Sequence, residues 1–104
     1  MRLSIIGLGK LGAPMAAVMA HKGHTVVGVD INPAYVAAIQ EGRAPVNEPG
    51  LAGMIRANRE RLRATHDYED AILATDTTFI MVPTPSDPDG TFSMRFVLRY
   101  RPTD

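Results

Sequence analysis

Three glycines occur within six residues near the start of the chain, directly after an apolar run. The segment reads GLGKLG over residues 7–12 and follows the short stretch RLSII. Asp30 stands 18 positions beyond Gly12, at the end of a second apolar run, TVVGV. A turn of this kind lets a bound group come close to the main chain. Together these residues could hold a dinucleotide, with its diphosphate on the glycine turn and its ribose hydroxyls donating to the aspartate.

Each glycine of this turn has its own physical task. Gly7 allows the tight turn out of a strand, Gly9 lets the backbone approach a pyrophosphate, and Gly12 lets the next helix pack closely on the sheet. A helix that begins here directs unpaired N–H groups and the positive end of its dipole at the phosphates. The alternative is a turn without a ligand and Asp30 as a solvated strand end. The preceding strand, the following helix and the acid together favour the dinucleotide site.

The acid also indicates which dinucleotide is bound. Asp30 would repel a 2′-phosphate, and no arginine occurs among residues 31–42. The sequence therefore predicts NAD rather than NADP as the cofactor.

The elements that must position these residues alternate between buried strands and helices. Strands are predicted over residues 2–6, 25–29, 62–65 and 77–82. Helices are predicted over residues 11–20, from Asn32 and Pro33 past Ile39, over 51–57, from Asp67 to Leu73, and from Ser93 until Pro102 stops the last one. Loops are predicted over residues 41–50 and 83–90. This alternation predicts an α/β fold, a Rossmann-type parallel sheet with helices on both faces, incomplete at about four strands.

Composition excludes several other classes of protein. The 104 residues carry a formal net charge of +0, which gives no field to hold nucleic acid or a membrane surface, and neither is expected as a partner. No stretch approaches the length of a membrane span and the start does not resemble a secretory signal, so the cytoplasm is the expected location. The chain contains no cysteine, which excludes disulfides and a thiol nucleophile.

Four segments of the sequence carry a family resemblance. They are GLGKLG, then VDIN over residues 29–32, EGRAPVNEPGL over 41–51 and VPTPSDPDGTFSM over 82–94. Their combination resembles the N-terminal part of the UDP-glucose/GDP-mannose dehydrogenase family. The resemblance implies an enzyme of two lobes that uses NAD to oxidise the C6 alcohol of a nucleotide-sugar to a carboxylate, as from UDP-glucose to UDP-glucuronate. It assigns residues 1–98 to a partial NAD-binding domain and residues 99–104 to an atypical C-terminal tail.

The resemblance also implies a set of cofactor-binding residues. They are Gly7, Leu8, Gly9, Lys10, Leu11, Gly12, Asp30, Ile31, Pro83 and Thr84. The turn would line the pyrophosphate, Asp30 would take the ribose, and the segment with Pro83 and Thr84 would pass beside the nicotinamide. Glu48 and the Pro49-Gly50 pair are expected to shape a loop and start a helix rather than to contact a ligand.

Three features depart from the family pattern. Tyr35 stands where the family commonly has an arginine near the adenosine. The family holds its aldehyde-level intermediate on a cysteine, and since this chain has none, no catalytic residue is expected and the isolated chain should not complete the reaction. Binding of the nucleotide-sugar is expected only in a complete enzyme. The tail after Leu98 suggests the hypothesis of a truncated or shifted reading frame.

A sheet of about four strands would leave one edge of the strand over residues 77–82 unpaired. An exposed apolar edge of this kind predicts marginal stability, or a homodimer formed through it.

Two other functions remain open at this stage. GLGKLGAPMA also resembles the opening of β-hydroxyacid dehydrogenases, although EPGL and the long loop that ends in Asp89-Gly90 argue against that family. The chain could instead be a non-catalytic dinucleotide-binding module.

Several polar residues predict no further site. His21, His24 and His66 are interpreted as turn and loop residues rather than metal ligands. The basic run over residues 56–63 lacks aromatic residues and is interpreted as a solvated helix end. Asp87 and Asp89 are interpreted as a turn.

Overall fold

A computed structural model describes the backbone of residues 1–84 and 93–100 and the side chains of residues 1–81. The strands are β1 (Arg2–Ile6), β2 (Thr25–Val29), β3 (Leu62–Thr65), β4 (Thr77–Thr84) and β5 (Ser93–Tyr100). The helices are α1 (Gly12–His21), α2 (Pro33–Gln40), α3 (Leu51–Ala57) and α4 (Tyr68–Ala74). The four parallel strands and the first four predicted helices are confirmed, with differences only at their ends.

The strands form one sheet in the order β3-β2-β1-β4-β5. The pairs β1–β2, β1–β4 and β2–β3 are parallel, as the alternation of strands and helices predicts. The chain moves outward from β1 to β2 and β3, and then returns across the sheet to β4 on the other side of β1. The carboxyl ends of β2, β1 and β4 therefore lie side by side, at the point where the strand order reverses.

Helices cover both faces of the sheet, as predicted. The larger core cluster joins Ile5 of β1 and Val26 of β2 to alanines of α1 and to Leu51 and Ile55 of α3. On the opposite face, Ala71 of α4 packs with Val27 and Val29 of β2. The buried residues of α1 are glycine and alanines, whose small size allows the helix to lie close to the sheet.

Local capping explains where the helices begin and end. The Asn32 side chain accepts a hydrogen bond from the amide of Ala34 at 3.0 Å, with Pro33 in the first position of α2. Asp67 caps α4 by accepting from the Asp70 amide at 3.1 Å. Gly23, with φ of 104°, follows the C-cap of α1 in the left-handed region that glycine favours.

The segment that begins at Ser93 is a strand and not the predicted helix. β5 pairs antiparallel with β4 along its whole length, from Thr77 opposite Tyr100 to Thr84 opposite Ser93. The sequence SMRFVLRY alternates largely with a period of two, and pairing satisfies the backbone groups along the edge of β4. Ser93 is a residue type that often caps helices, which is why the sequence alone predicted a helix.

Two further predictions are corrected by this pairing. The prediction that one edge of β4 is unpaired is wrong, because β5 covers that edge, and the homodimer stays a prediction. Pro83 and Thr84 extend β4 instead of opening a loop, since they pair opposite Met94 and Ser93. The rest of the predicted loop, with Asp87 and Asp89, lies outside the described residues. β5 also continues through Arg99 and Tyr100, past the domain boundary predicted at residue 98.

A chain of buried hydroxyl groups joins the sheet to α4. The Ser4 and Thr78 hydroxyl oxygens lie 2.7 Å apart, and those of Ser4 and Thr75 lie 3.0 Å apart. The Thr75 hydroxyl also donates to the Ala71 carbonyl oxygen at 2.8 Å. All three hydroxyl-bearing residues are buried, so the network links β1, β4 and the end of α4 without leaving a polar group unsatisfied.

The basic run over residues 56–63 does more than face solvent. Arg61 donates to the Ala20 carbonyl at 3.0 Å, near the end of α1, and Arg59 donates to the Gln40 carbonyl at 3.2 Å, at the end of α2. Cationic side chains at these positions donate to carbonyl groups in the last turns of the helices and oppose the negative ends of the helix dipoles. The run therefore stabilises helix ends.

An exposed ion pair fixes the start of β1 beside the start of β4. The Arg2 guanidinium donates to both oxygens of Asp76, at 3.1 and 3.3 Å. These hydrogen bonds hold the pKa of the Asp76 carboxyl below its usual value, because they favour the ionised form.

Candidate cofactor-binding site

The glycine turn lies at the end of β1 and is held to the end of β2 by two short hydrogen bonds. The Gly7 amide donates to the Val29 carbonyl at 2.7 Å, and the Leu8 amide donates to Oδ2 of Asp30 at 2.7 Å. Leu8 of the turn and Asp30, which lie 22 positions apart in the sequence, are thus in direct contact.

The Asp30 carboxylate organises two segments at once. Its other oxygen, Oδ1, accepts from the Asn32 amide at 2.8 Å, just before α2. Each carboxylate oxygen can accept more than one hydrogen bond, so both retain capacity for hydroxyl donors. Asp30 is therefore already fixed by the main chain and can still accept from a ribose.

The glycines differ in what surrounds them. A Cβ on Gly12 would collide with the Gly7 carbonyl oxygen, and one on Gly7 would collide with the Met81 carbonyl oxygen. Gly7 also has φ of 104°, which disfavours any side chain. A Cβ on Gly9 would meet nothing within 4 Å. The first and third glycines are required by the fold, while the second leaves open space above the turn.

The turn also carries backbone amides that could donate to a ligand. The amides of residues 9–12 have no hydrogen-bond acceptor among residues 1–81, whereas the amides of Gly7 and Leu8 are both bonded. They stand at the N-terminus of α1, whose first turn contains no acidic residue. Lys10 is exposed within the same turn and adds a positive charge. These groups form an environment suited to an anion, as at other phosphate-binding helix ends.

The predicted apolar site residues divide into buried and exposed positions. Leu8 is 0% exposed and belongs to the core cluster, so only its backbone could face a cofactor. Ile31 is 78% exposed directly after Asp30, and Leu11 is 44% exposed at the start of α1. The structure brings the turn, Asp30 and Ile31 to one edge of the sheet.

The remaining predicted segments lie at the same edge of the sheet or have structural roles. Pro83 and Thr84 lie at the carboxyl end of β4, the strand next to β1, and therefore at the same edge of the sheet. Gly50 has φ of 80° and precedes α3, in which Leu51 is buried, while Glu48 is exposed. This agrees with a structural role for the EPGL segment. Tyr35 is half-buried and packs against the larger core cluster.

Sequence reasoning missed one residue that shapes this site, Gly28. It lies within β2 and faces the Leu8 side chain, and a Cβ on Gly28 would come within 2.6 Å of Leu8 Cδ2. The signal was available, because a lone glycine inside a strand often marks the close approach of another group.

The observed geometry fits NAD. Space above Gly9, four amides without acceptors among the side chains and backbone of residues 1–81, and a carboxylate with spare acceptor capacity match a diphosphate and an adjacent ribose. Among the described residues, no cluster of three His, Asp or Glu side chains could hold a metal ion. No helix within the described part of the chain is long and apolar enough to cross a membrane.

Comparison with known proteins identifies the family. A model of the UDP-glucose/GDP-mannose dehydrogenase family, NAD binding domain, matches residues 1–101. The chain belongs to this family. The match decides in favour of the nucleotide-sugar dehydrogenases over the β-hydroxyacid dehydrogenases, and it establishes an NAD-binding domain.

Individual relatives agree with this assignment. The chain is 52% identical over 95 residues to the UDP-glucose 6-dehydrogenase AglM of Haloferax volcanii, and the match covers 90% of this chain and 22% of that protein. It is 38% identical over 99 residues to the GDP-mannose 6-dehydrogenase of Pseudomonas aeruginosa, covering 93% of this chain and 23% of the relative. The chain thus spans less than a quarter of the length of these relatives.

Solved structures show the same architecture. A ternary complex of GDP-mannose dehydrogenase from Pseudomonas aeruginosa matches with a TM-score of 0.80 at 40% identity, over 89% of this chain and 22% of that one. A UDP-glucose dehydrogenase from Pyrobaculum islandicum matches with a TM-score of 0.77 at 42% identity, over 88% of this chain and 22% of that one.

Proposed function

We propose that this chain provides the NAD-binding site of a nucleotide-sugar 6-dehydrogenase. The observation that supports this most directly is the contact between the glycine turn and Asp30, where the Leu8 amide donates to the carboxylate at 2.7 Å. This contact joins a diphosphate site and a ribose site within a family of NAD-dependent dehydrogenases.

Each predicted site residue takes a role in this proposal. The backbone of Gly7, Leu8, Gly9, Lys10, Leu11 and Gly12 forms the turn, and the amides of residues 9–12 hold the diphosphate. The Lys10 ammonium group offsets part of the diphosphate charge. Asp30 accepts from the ribose hydroxyls, and the exposed Ile31 side chain packs against the adenine. Pro83 and Thr84, at the end of β4, lie beside the nicotinamide.

The chain selects NAD over NADP through charge. The Asp30 carboxylate would stand next to a 2′-phosphate, and no arginine within residues 31–42 could neutralise that phosphate. NAD supplies a hydride acceptor when it is bound. The residues of this chain bind and orient that acceptor.

The proposed substrate class is a nucleotide-sugar, oxidised at its C6 alcohol in the complete enzyme. UDP-glucose is favoured because the relative named for it is 52% identical, against 38% for the GDP-mannose relative. The 104 residues contain no cysteine, so the family's thiolate step cannot use a residue of this chain. We therefore propose that the chain binds the cofactor but does not complete the oxidation on its own.

A chimeric enzyme tests this function. Residues 1–101 replace the corresponding segment of the Haloferax volcanii relative, and formation of NADH is measured with UDP-glucose and with GDP-mannose. We expect UDP-glucose-dependent NADH formation that is lost in a chimera with Asp30→Ala. A folded chimera that binds UDP-glucose but forms no NADH would contradict the proposal.

A further inference from the structure

We infer that Leu8 and Gly28 form a positioning pair that fixes the diphosphate-binding turn on β2. The contact of the Leu8 side chain with the backbone of Gly28 determines cofactor affinity, although neither group touches the cofactor. This inference rests on the proposed function, because it concerns how that same site is held in shape.

The Leu8 side chain occupies the space that a side chain at residue 28 would need. A Cβ on Gly28 would lie 2.6 Å from Leu8 Cδ2, 3.1 Å from Cδ1 and 3.4 Å from Cγ. The three outermost carbons of the leucine therefore all stand over the bare Cα of Gly28. Leu8 is 0% exposed, so a methyl group added at residue 28 must shift the Leu8 side chain against its closely packed neighbours.

The backbone of Leu8 is fixed at the same time as its side chain. Its amide donates to Asp30 at 2.7 Å, and the preceding amide, that of Gly7, donates to the Val29 carbonyl at 2.7 Å. Three consecutive residues of one segment, Gly28, Val29 and Asp30, thus contact two consecutive residues of the turn. Displacement of Leu8 must move the adjoining amides of residues 9–12, which face the diphosphate.

A glycine in the middle of β2 is otherwise unfavourable, since it weakens a strand and packs no side chain. Each of its strand neighbours Val27 and Val29 fills space in the smaller core cluster. The absence of a side chain at Gly28 is explained by the space that Leu8 needs. Neither residue is a catalytic residue; both act through the position of the turn.

A double-mutant cycle tests the pair in the full chain. The variants are Gly28→Ala, Leu8→Ala and the combination of both. Gly53→Ala is the matched control, because a Cβ there meets nothing within 4 Å and the residue is exposed in α3. Calorimetry measures NAD affinity, and NMR hydrogen exchange measures protection of the Leu8 amide.

We expect Gly28→Ala to weaken NAD binding by about tenfold in the wild-type background and by less than about twofold in the Leu8→Ala background. The Leu8 amide should exchange faster in Gly28→Ala, while the amides in the middle of β1 keep their protection. Gly53→Ala should change neither quantity. If Gly28→Ala does not fold, a folded combined variant that binds NAD supports the pair, and a combined variant that also fails to fold overturns it.

Other results would contradict the inference. Unchanged NAD affinity in Gly28→Ala, or an equal loss in both backgrounds, would show that the contact does not position the turn. If the wild-type chain is folded but binds no NAD, the proposed function fails, and exchange of the Leu8 amide alone decides the inference. Unchanged protection of that amide in Gly28→Ala would then overturn it.

Discussion

At the scale of single residues, three glycines of one motif perform different work. Gly7 and Gly12 stand where a side chain would strike a backbone carbonyl oxygen, and only Gly9 opens into free space. The motif therefore combines two positions that the fold requires with one that, in our proposal, the ligand requires. This division yields a direct test with nearly identical substitutions.

We expect Gly12→Ala to lower the free energy of unfolding and Gly9→Ala to leave it nearly unchanged. An alanine in a helix gains at most about 1 kcal/mol over glycine, and at position 12 overpacking against a backbone atom outweighs this with a cost of about 1–3 kcal/mol or more. Gly9→Ala should leave the free energy of unfolding nearly unchanged but weaken NAD binding by about tenfold. Urea unfolding and calorimetry measure the two effects. Equal NAD affinity in Gly9→Ala and the wild type would argue against diphosphate binding above this residue.

The buried hydroxyl network gives a second test with a matched control. Thr78→Val removes a hydroxyl that lies 2.7 Å from the Ser4 hydroxyl, and should lower the free energy of unfolding by about 1–3 kcal/mol. Thr25→Val makes the same chemical change at an exposed position and should stay within about 0.5 kcal/mol of the wild type. Similar losses in the two variants, measured by urea unfolding, would show that the network adds nothing specific.

At the scale of elements, the sequence predicts most of the fold because its local signals agree with its tertiary structure. Asn32 before Pro33, and Asp67 before an acidic turn, mark helix starts that the structure confirms. Residues 93–100 differ, because a strand there depends on a partner that is distant in sequence, the edge of β4. The periodicity of this short segment does not distinguish a strand that pairs with β4 from a helix capped by Ser93.

At the site, too, only the features that local sequence specifies could be predicted. The turn and Asp30 are predictable from spacing, since a fingerprint specifies both. The burial of Leu8 could not be predicted, because a leucine in a glycine-rich turn is expected to contact the ligand. Only the structure shows that its side chain fills the space over Gly28. Sequence identifies which segments meet at the site, and packing decides which of their atoms face a ligand.

Removal of β5 should expose the edge that it covers. We expect a chain that ends at residue 84 to self-associate, because β4 would then present eight residues of unpaired backbone rich in apolar side chains. Light scattering coupled to size-exclusion chromatography measures this against the full chain. A monodisperse, folded monomer of the shortened chain would show that pairing with β5 is not what protects β4.

At the scale of the whole molecule, the chain is a cofactor-binding unit whose site lies along one edge of its sheet. The strand order brings the ends of β2, β1 and β4 together, and these ends carry every segment that the resemblance assigned to NAD. The relatives it matches are more than four times as long, with this chain covering 22% and 23% of two of them. Cofactor binding is therefore the property of the family that the 104 residues can be tested for directly.

Calorimetric titration of NAD into the full chain tests the central claim, with NADP and an Asp30→Ala variant as controls. We predict saturable binding of NAD. The affinity for NADP should be at least about tenfold lower, because its 2′-phosphate is repelled by Asp30. The affinity of the Asp30→Ala variant for NAD should also be lower, because the ribose loses its hydrogen-bond acceptor. A chain shown by circular dichroism to be folded that binds no NAD, or that binds NAD and NADP equally well, would contradict the account.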